Sequence, residues 1–453
     1  MKLAMHGSLT GGNLRRRLHL SGSQALAAST VLTNAIRIVS TMCLTRLLSP
    51  EVYGISGLIV SIFLVLTLLS DAGFQAYIVR HPQSDDPEFL SSVWTIHAGR
   101  GAVLSLIAII LAWPLSLLLG QPGLTAPLAV AGLTFAIDGQ ASLHQFRALR
   151  RGGVQRFALL NLGIGVSQTV AAIILAFFIR NIWAIVGSML IASMVRVWLS
   201  YRLFDGERHS LRPDRKVASD VWKFSRMIAA SSAMTLVITQ VDKLAMSRIL
   251  PLSQFGTYII ASSLAAAPTV FAYNYGSTIV YPAASAAWRE GGSLADAYYR
   301  CWGRFFYAYA LGGGVFIGAA NLLIRLLYDP RYVPAATFLA ILAVGTAMII
   351  VTRSMDSLLV ASGHIRTTLQ LNLIRLVWLV CGGAVAFVQA SPMLFVLTIG
   401  LIEIPAYFFA SWRLHRLQLI KWPRELSVLL VMVAGFGLGS AASYLGQVFL
   451  PNL

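Results

Sequence analysis

From about residue 22 onward, long apolar runs follow one another, separated by short stretches rich in Arg, Gly and Pro. A helix rises about 1.5 Å per residue and a bilayer core is about 30 Å thick, so roughly 20 apolar residues cross it. The pattern predicts membrane helices over 22–45, 53–79, 89–119, 126–149, 155–179, 181–202, 218–247, 254–282, 302–327, 333–361, 367–389, 391–412 and 425–449. No polar stretch between them is long enough for a separate soluble domain. The fold class expected is an all-α polytopic membrane protein.

Composition agrees. The chain of 453 residues is 57% hydrophobic and 11% charged, with mean hydropathy +0.73. Soluble domains carry about 25% charged residues, so this surface must be solvated by lipid. The formal net charge is +18. Lysine occurs only at Lys2, Lys216, Lys223, Lys243 and Lys421, and arginine supplies the rest. Arginines crowd alternate loops: Arg147, Arg150, Arg151 and Arg156; Arg202, Arg208, Arg212, Arg215 and Lys216; Arg289, Arg300 and Arg304; Arg413, Arg416, Lys421 and Arg424. The other loops hold only Arg46, Arg180, Arg248 and Arg331 near them. The positive-inside rule makes the crowded loops cytoplasmic. The expected location is a bacterial inner membrane, crossed many times, with the N-terminus cytoplasmic. Arg15-Arg16-Arg17 precede an apolar run too long for a cleaved signal, so the first helix is read as uncleaved. Charge placed between spans argues against a nucleic-acid partner. Cys43, Cys301 and Cys381 are scattered in apolar segments, with neither disulfide nor metal spacing. No metal or cofactor is expected.

The chain repeats itself. RLLSPEVYG, Arg46–Gly54, follows the first helix, and RILPLSQFG, Arg248–Gly256, follows the seventh. A second echo pairs GVQR, Gly153–Arg156, with GHIR, Gly363–Arg366, at nearly the same offset. The unit holds six helices, an even number, so both copies share one orientation. Parallel repeats are related by an axis along the membrane normal, with the path between them. The organisation read from this is a cytoplasmic tail 1–21, an N-lobe 22–205, a linker 206–217, a C-lobe 218–416, and an accessory thirteenth helix and tail 417–453. Gly435 and Gly439 give that last helix a small-xxx-small packing face. The equivalent first and seventh helices are expected to face each other across the path.

TRLLSPEVYGISGLIVSIFLVLTLLSDAGFQAYIVR, Thr45–Arg80, and TQVDKLAMSRILPLSQFGTYIIASSL, Thr239–Leu264, carry a resemblance. The chain resembles the polysaccharide transport family, the Wzx-type flippases of the MOP exporter superfamily, related to MATE and MurJ. The resemblance implies two pseudo-symmetric six-helix lobes around a V-shaped cavity. It implies a cargo of polyprenyl-diphosphate-linked oligosaccharide, an O-antigen, capsule or exopolysaccharide unit, moved to the periplasmic leaflet by alternating access. Candidate companions are anionic membrane lipids, a polysaccharide polymerase and a chain-length regulator.

A charge at mid-bilayer costs about 2.5–3.5 kcal/mol or more, so those inside the spans should face a cavity or a partner. Arg37, Arg353, Arg375 and Lys243 are candidates for a cationic cavity holding the diphosphate, since arginine forks match phosphate oxygens. Arg46, Asp71, Asp138, Asp242, Arg248 and Glu403 are candidates for the gate or ion coupling. Asp242 is expected to pair with Arg37 or Arg46 and help close the outer gate. His97, one turn from Arg100, reads as a satisfied polar contact. Arg196, Arg226 and Arg325, near span ends, read as residues reaching for the interface. Pro268, with Asn274 beyond it, and Pro405, two residues after Glu403, mark breaks in the eighth and twelfth spans. A MATE-like multidrug antiporter is the nearest alternative and would favour acidic and aromatic walls. A membrane polymerase or glycosyltransferase would need a long outer loop with catalytic groups, and none occurs. No GxxxxGK[ST] run supplies a nucleotide motor. The chain is therefore not expected to be an enzyme.

Overall fold

The structure, a computed structural model, describes the backbone of residues 22–70 and 73–449, and their side chains except those of 22–31, 227–238, 274, 278 and 365. Asp71, the Arg15–Arg17 cluster and the Asn274 side chain therefore lie outside the described residues. Twenty helices and no strand are found among those described.

The first half contains α1 (Gly22–Leu47), α2 (Pro50–Leu69), α3 (Phe74–Arg80), α4 (Pro87–Leu118), α5 (Thr125–Asp138), α6 (His144–Arg150), α7 (Val154–Ile179) and α8 (Ile182–Arg202). The second half begins with α9 (Arg215–Ile249), α10 (Leu252–Ala266), α11 (Thr269–Tyr275), α12 (Tyr281–Arg289) and α13 (Leu294–Arg300). It continues with α14 (Arg304–Gly318), α15 (Ala320–Leu327), α16 (Ala335–Ala361), α17 (Ile365–Val388), α18 (Pro392–Gly400), α19 (Glu403–Arg416) and α20 (Trp422–Phe449).

Each of the thirteen expected spans contains a helix. Nine described spans are long and apolar enough to cross a membrane, or ten if α14 and α15, bent by 75°, form one. The other three are α1, which carries Arg37, the short α5, and α9, which carries charges along its length. The twelfth span breaks between α18 and α19 at Leu401–Ile402. Pro405 lacks the N–H that the Leu401 carbonyl would otherwise accept from.

The two halves form two lobes. They share one apolar core at the end where the repeated turns lie. Leu48, Tyr53, Leu58 and Ile59 of the first half meet Phe255, Tyr258, Tyr332 and Leu339 of the second, all buried. At the opposite end, called here the basic end for its arginine-rich connections, the cores separate. One, around Ala284, Tyr298, Phe306 and Met355, belongs to the second half alone. Another, around Phe74, Tyr77, Phe89 and Trp94, belongs to the first half, joined only by Val221 and its neighbours on α9. The space between the lobes is thus sealed at the turn end and opens toward the basic end.

The repeat explains the seal. Pro50 and Pro251 start the helices α2 and α10, and Gly54 and Gly256 sit one turn further on. A Cβ on Gly256 would lie 1.8 Å from the Pro50 carbonyl oxygen, and one on Gly54 would lie 2.7 Å from that of Leu252. Only glycine permits this backbone approach. The two copies of the motif therefore pack against each other.

The thirteenth helix, α20, packs along α14. A Cβ on Gly435 would meet the Leu311 carbonyl at 2.2 Å, and one on Gly439 that of Val315 at 2.4 Å. The small-residue spacing does what it predicts: it lets two backbones meet without side chains between them.

Candidate functional site

Between the lobes, α1 faces α10, α11, α14 and α16 across a cavity of about 580 Å³. Asn34 and Ile38 line one side; Phe271, Tyr309, Phe316 and Thr346 line the other. Among the described residues no α9 side chain lines this cavity, where the repeat had suggested that the first and seventh helices face each other. The second span of each half occupies the centre instead, because the glycine contact draws α2 and α10 together, and α9 lies against α2. The break at Pro268 lies in the cavity wall. Side-chain donors reach the carbonyls beside it: Thr346 donates to Ala265 (2.9 Å) and Tyr309 to Pro268 (3.3 Å).

Arg37 lies beside this cavity and is exposed. Among the described residues its guanidinium has no hydrogen bond or ion pair. Its direction can be read from α1. The exposed apolar residues Leu32 (50%) and Val39 (54%) mark the lipid side. At about 100° per residue, Arg37 points roughly 140–160° away from both; of the α1 residues that line the cavity, Asn34 and Ile38 lie within roughly 100° of it and Ala35 roughly 160° from it.

The other three expected cavity cations are engaged. Arg375 is corrected: it is 2% exposed and clamped to Glu403 by two hydrogen bonds, 3.1 and 2.8 Å. Asn372 accepts from the third nitrogen, and Thr352 donates to Glu403 at 2.7 Å. A buried pair survives when hydrogen bonds back up the charge, and here each guanidinium nitrogen donates and both carboxylate oxygens accept. Glu403 is therefore also corrected: its carboxylate is the counter-charge of Arg375. Arg353 lies over the Tyr273 ring at 4.3 Å, donates to its hydroxyl at 2.5 Å and is 3.8 Å from Asp356. Its side chain retains 20% exposure.

The expected pairing of Asp242 with Arg37 or Arg46 is not found. Tyr258 donates to Asp242 at 2.6 Å, and Lys243 reaches back to both carboxylate oxygens at 3.3 Å. Adjacent positions on α9 diverge, but the long lysine stem curls over the turn, where the Thr239 carbonyl also accepts from it at 3.0 Å. Lys243 is thus bound within its own lobe.

The turn end is closed by other groups. Arg331, just before α16, donates to the carbonyls of Thr45 (3.1 Å) and Arg46 (3.3 Å). Tyr332 donates to the Leu48 carbonyl (3.1 Å) and meets Tyr53 edge to face at 5.7 Å. These bonds cap the C-terminal carbonyls of α1, which a helix leaves unpaired. Arg46 contributes its carbonyl to the seal, and the Arg248 guanidinium lies against Gly120 of the first half. The sequence signal missed was the Asp329-Pro-Arg-Tyr332 turn, which lies outside the repeat.

Asp138 lines a separate polar cavity of about 320 Å³ inside the first lobe, with His97, Arg100, Gln145, Asn161 and Arg196. Arg196 does not reach for the interface: its Nε lies 3.4 Å from Asp138. His97 contacts the Gly139 carbonyl at 3.0 Å, as a satisfied histidine should. Arg100 donates to the carbonyls of Ser70 (2.7 Å) and Thr67 (3.2 Å), completing the end of α2.

Two lobes, a cleft closed at one end, and apolar helices throughout define a multi-pass membrane protein of two helical lobes. The chain belongs to the polysaccharide biosynthesis protein family, whose model matches residues 43–337. It is 23% identical over 251 residues to the succinoglycan biosynthesis transport protein ExoT of Rhizobium meliloti (strain 1021). That match covers 55% of this chain and 50% of the relative, so the chain spans about half the length of the curated relative it matches. The fold is similar to the lipid II flippase MurJ in an inward closed conformation, with TM-score 0.69 at 11% identity over 93% of this chain and 99% of that one. It is also similar to an inward-facing multidrug resistance MATE transporter, with TM-score 0.64 at 15% identity over 87% of this chain and 98% of that one.

Proposed function

We propose that the protein is a flippase for polyprenyl-diphosphate-linked oligosaccharide, moving a polysaccharide repeat unit from the cytoplasmic to the periplasmic leaflet of a bacterial inner membrane. The observation that carries this reading is Arg37: a guanidinium without a hydrogen bond or ion pair among the described residues, on the helix α1 that lines an apolar and aromatic cavity. A diphosphate carries about two negative charges, and moving them bare through hydrocarbon would cost tens of kcal/mol. A cation in a hydrated cleft lowers that barrier. The cavity walls of Phe271, Phe305, Tyr309 and Phe316 suit the neighbouring prenyl chain. Family membership and the succinoglycan transport relative support a polysaccharide precursor over an unrelated lipid.

The positive-inside rule makes the basic end cytoplasmic, so this conformation receives cargo from inside. Rocking of the lobes would then part the Gly54–Gly256 contact and release cargo outward. Outward movement of anionic charge is favoured by about 2.3 kcal/mol per charge per 100 mV when the cytoplasm is negative. Asp138 remains the candidate for ion coupling. A polymerase and a chain-length regulator would act on the released unit. No covalent step is assigned to the chain.

The aromatic wall also suits a flat organic cation, as in a multidrug antiporter. Proteoliposomes distinguish the two. The flippase reading expects movement of a fluorescent lipid-linked oligosaccharide and no proton- or sodium-driven movement of ethidium. Ethidium transport with a stationary lipid-linked oligosaccharide would contradict it.

A further inference from the structure

A second cationic pocket lies at the basic end, away from the cleft. It has a volume of about 200 Å³ and is lined by His144, Arg147, Arg151, Gly153, Arg156 and Asp205. That is room for roughly six waters at about 30 Å³ each, enough for a phosphate group. Three guanidinium groups share it. Arg156 bonds the Asp205 carboxylate at 3.0 Å, and Arg151 bonds Asp85 at 2.5 Å. Arg147 donates only to a neutral acceptor, the Asp205 backbone carbonyl, at 2.6 Å, and has no carboxylate at ion-pair distance among the described residues. Burial and the adjacent Arg151 hold the Arg147 guanidinium below its ordinary pKa. Like charges held this close are stabilised by an anion between them.

Two further features favour an anion. The 26-residue helix α7 begins at Gly153 with no side-chain cap, so the positive end of its dipole adjoins the pocket. His144 is 4% exposed; its Nε2 donates to the Glu207 carbonyl at 2.8 Å, which leaves the buried Nδ1, without a hydrogen-bond partner, as an acceptor for the P–OH of a monoprotonated phosphate.

The resident anion is weakly held. The Asp205 side chain is 93% exposed, and its pair with Arg156 is of the exposed kind, worth about 0–1 kcal/mol. Asp205 opens the segment 203–214 that joins α8 to α9 and so links the lobes.

We propose that this pocket binds a phosphate group, with Arg147 and Arg156 as its bidentate partners and the Asp205 carboxylate as the tethered anion it displaces. The phosphate belongs either to a lipid headgroup at the membrane surface or to a soluble phosphate compound. The site is distinct from the cleft and does not depend on the cargo.

The test uses the full-length protein in detergent, with native mass spectrometry for short-chain phosphatidic acid and isothermal titration for inorganic pyrophosphate. Phosphatidylcholine is the zwitterionic control. The proposal expects one of the two phosphate probes to bind in preference to the control. Pyrophosphate displacing phosphatidic acid, or binding alone, identifies a soluble source; phosphatidic acid binding undisturbed by pyrophosphate identifies a headgroup. Arg147→Gln with Arg156→Gln should weaken binding at least about tenfold, as expected for two charge-assisted contacts. Asp205→Asn, which loosens the same linker but keeps both arginines, should tighten it. Should the glutamine variant not fold, Arg147→Lys with Arg156→Lys, which keeps charge but loses the forks, should still weaken binding. Neither phosphate probe binding beyond phosphatidylcholine, unaltered affinity in a folded arginine variant, or loss of binding in Asp205→Asn would overturn the proposal.

Discussion

The two ends of the molecule are built differently. At the turn end the lobes share one apolar core, backbone meets backbone at Gly54 and Gly256, and Arg331 and Tyr332 cap the last carbonyls of α1. At the basic end each lobe keeps its own core, and exposed ion pairs such as Arg212–Glu88 (2.9 Å) and Lys421–Asp296 (2.6 Å) hold the surface. Exposed pairs are worth about 0–1 kcal/mol each and rearrange easily. A tight glycine contact is all or none, since interiors pack at crystal-like density and do not deform gradually. The turn end therefore behaves as a latch and the basic end as a mouth.

The same contrast separates the buried charges. Arg375 is neutralised by Glu403 in a dry network within its lobe, and Arg37 on α1 has no such partner among the described residues. The largest expected effect tests that difference. Glu403→Leu leaves the Arg375 guanidinium buried and unpaired, and should cost about 3–5 kcal/mol, read as a large fall in melting temperature. Arg375→Met in the same chain should restore much of it; Arg37→Ala should hardly change the melting temperature. Next comes the latch. Gly256→Ala places a methyl group inside the Pro50 carbonyl contact and should cost about 1–3 kcal/mol in this conformation. Spin labels on the turn ends of α2 and α10 should move apart; an unchanged distance would break the latch interpretation.

Tyr258→Phe removes the hydroxyl from Asp242 and should cost about 1.5–3 kcal/mol, as for a hydrogen bond to a charged group. The cost should largely vanish in an Asp242→Asn background. The smallest effect belongs to the basic end. Burial, then His144 and Arg147, push the His209 pKa down from 6.5 to about 4. The unfolded chain therefore takes up this proton first as pH falls, so stability is constant above about pH 6.5 and declines toward pH 4. The His209 share of the decline should be on the order of 1–2 kcal/mol once partial exposure is allowed for, and His209→Gln should remove that share.

Much of the fold was legible because membrane helices are specified by local apolar length. Each expected span holds a helix, and Gly435 and Gly439 foretold how α20 packs. The repeat located the two turns but not their contact, since a repeat shows equivalence and not adjacency. The site was less legible for a related reason. An arginine in an apolar run must be paired or face water, and sequence does not choose between them. Arg375 meets Glu403 from 28 residues away, and Asp138 meets Arg196, because breaks and helix rotations bring those faces together. Asp242 takes an uncharged partner, Tyr258, which a search for opposite charges passes over.

The most direct test is translocation of a fluorescent lipid-linked oligosaccharide in proteoliposomes containing the wild-type protein, Arg37→Ala or Arg37→Lys at matched protein levels. Diphosphate passage beside Arg37 predicts that alanine abolishes movement while lysine retains part of it. Wild-type rates in the alanine variant would contradict a role for this charge in carrying the cargo.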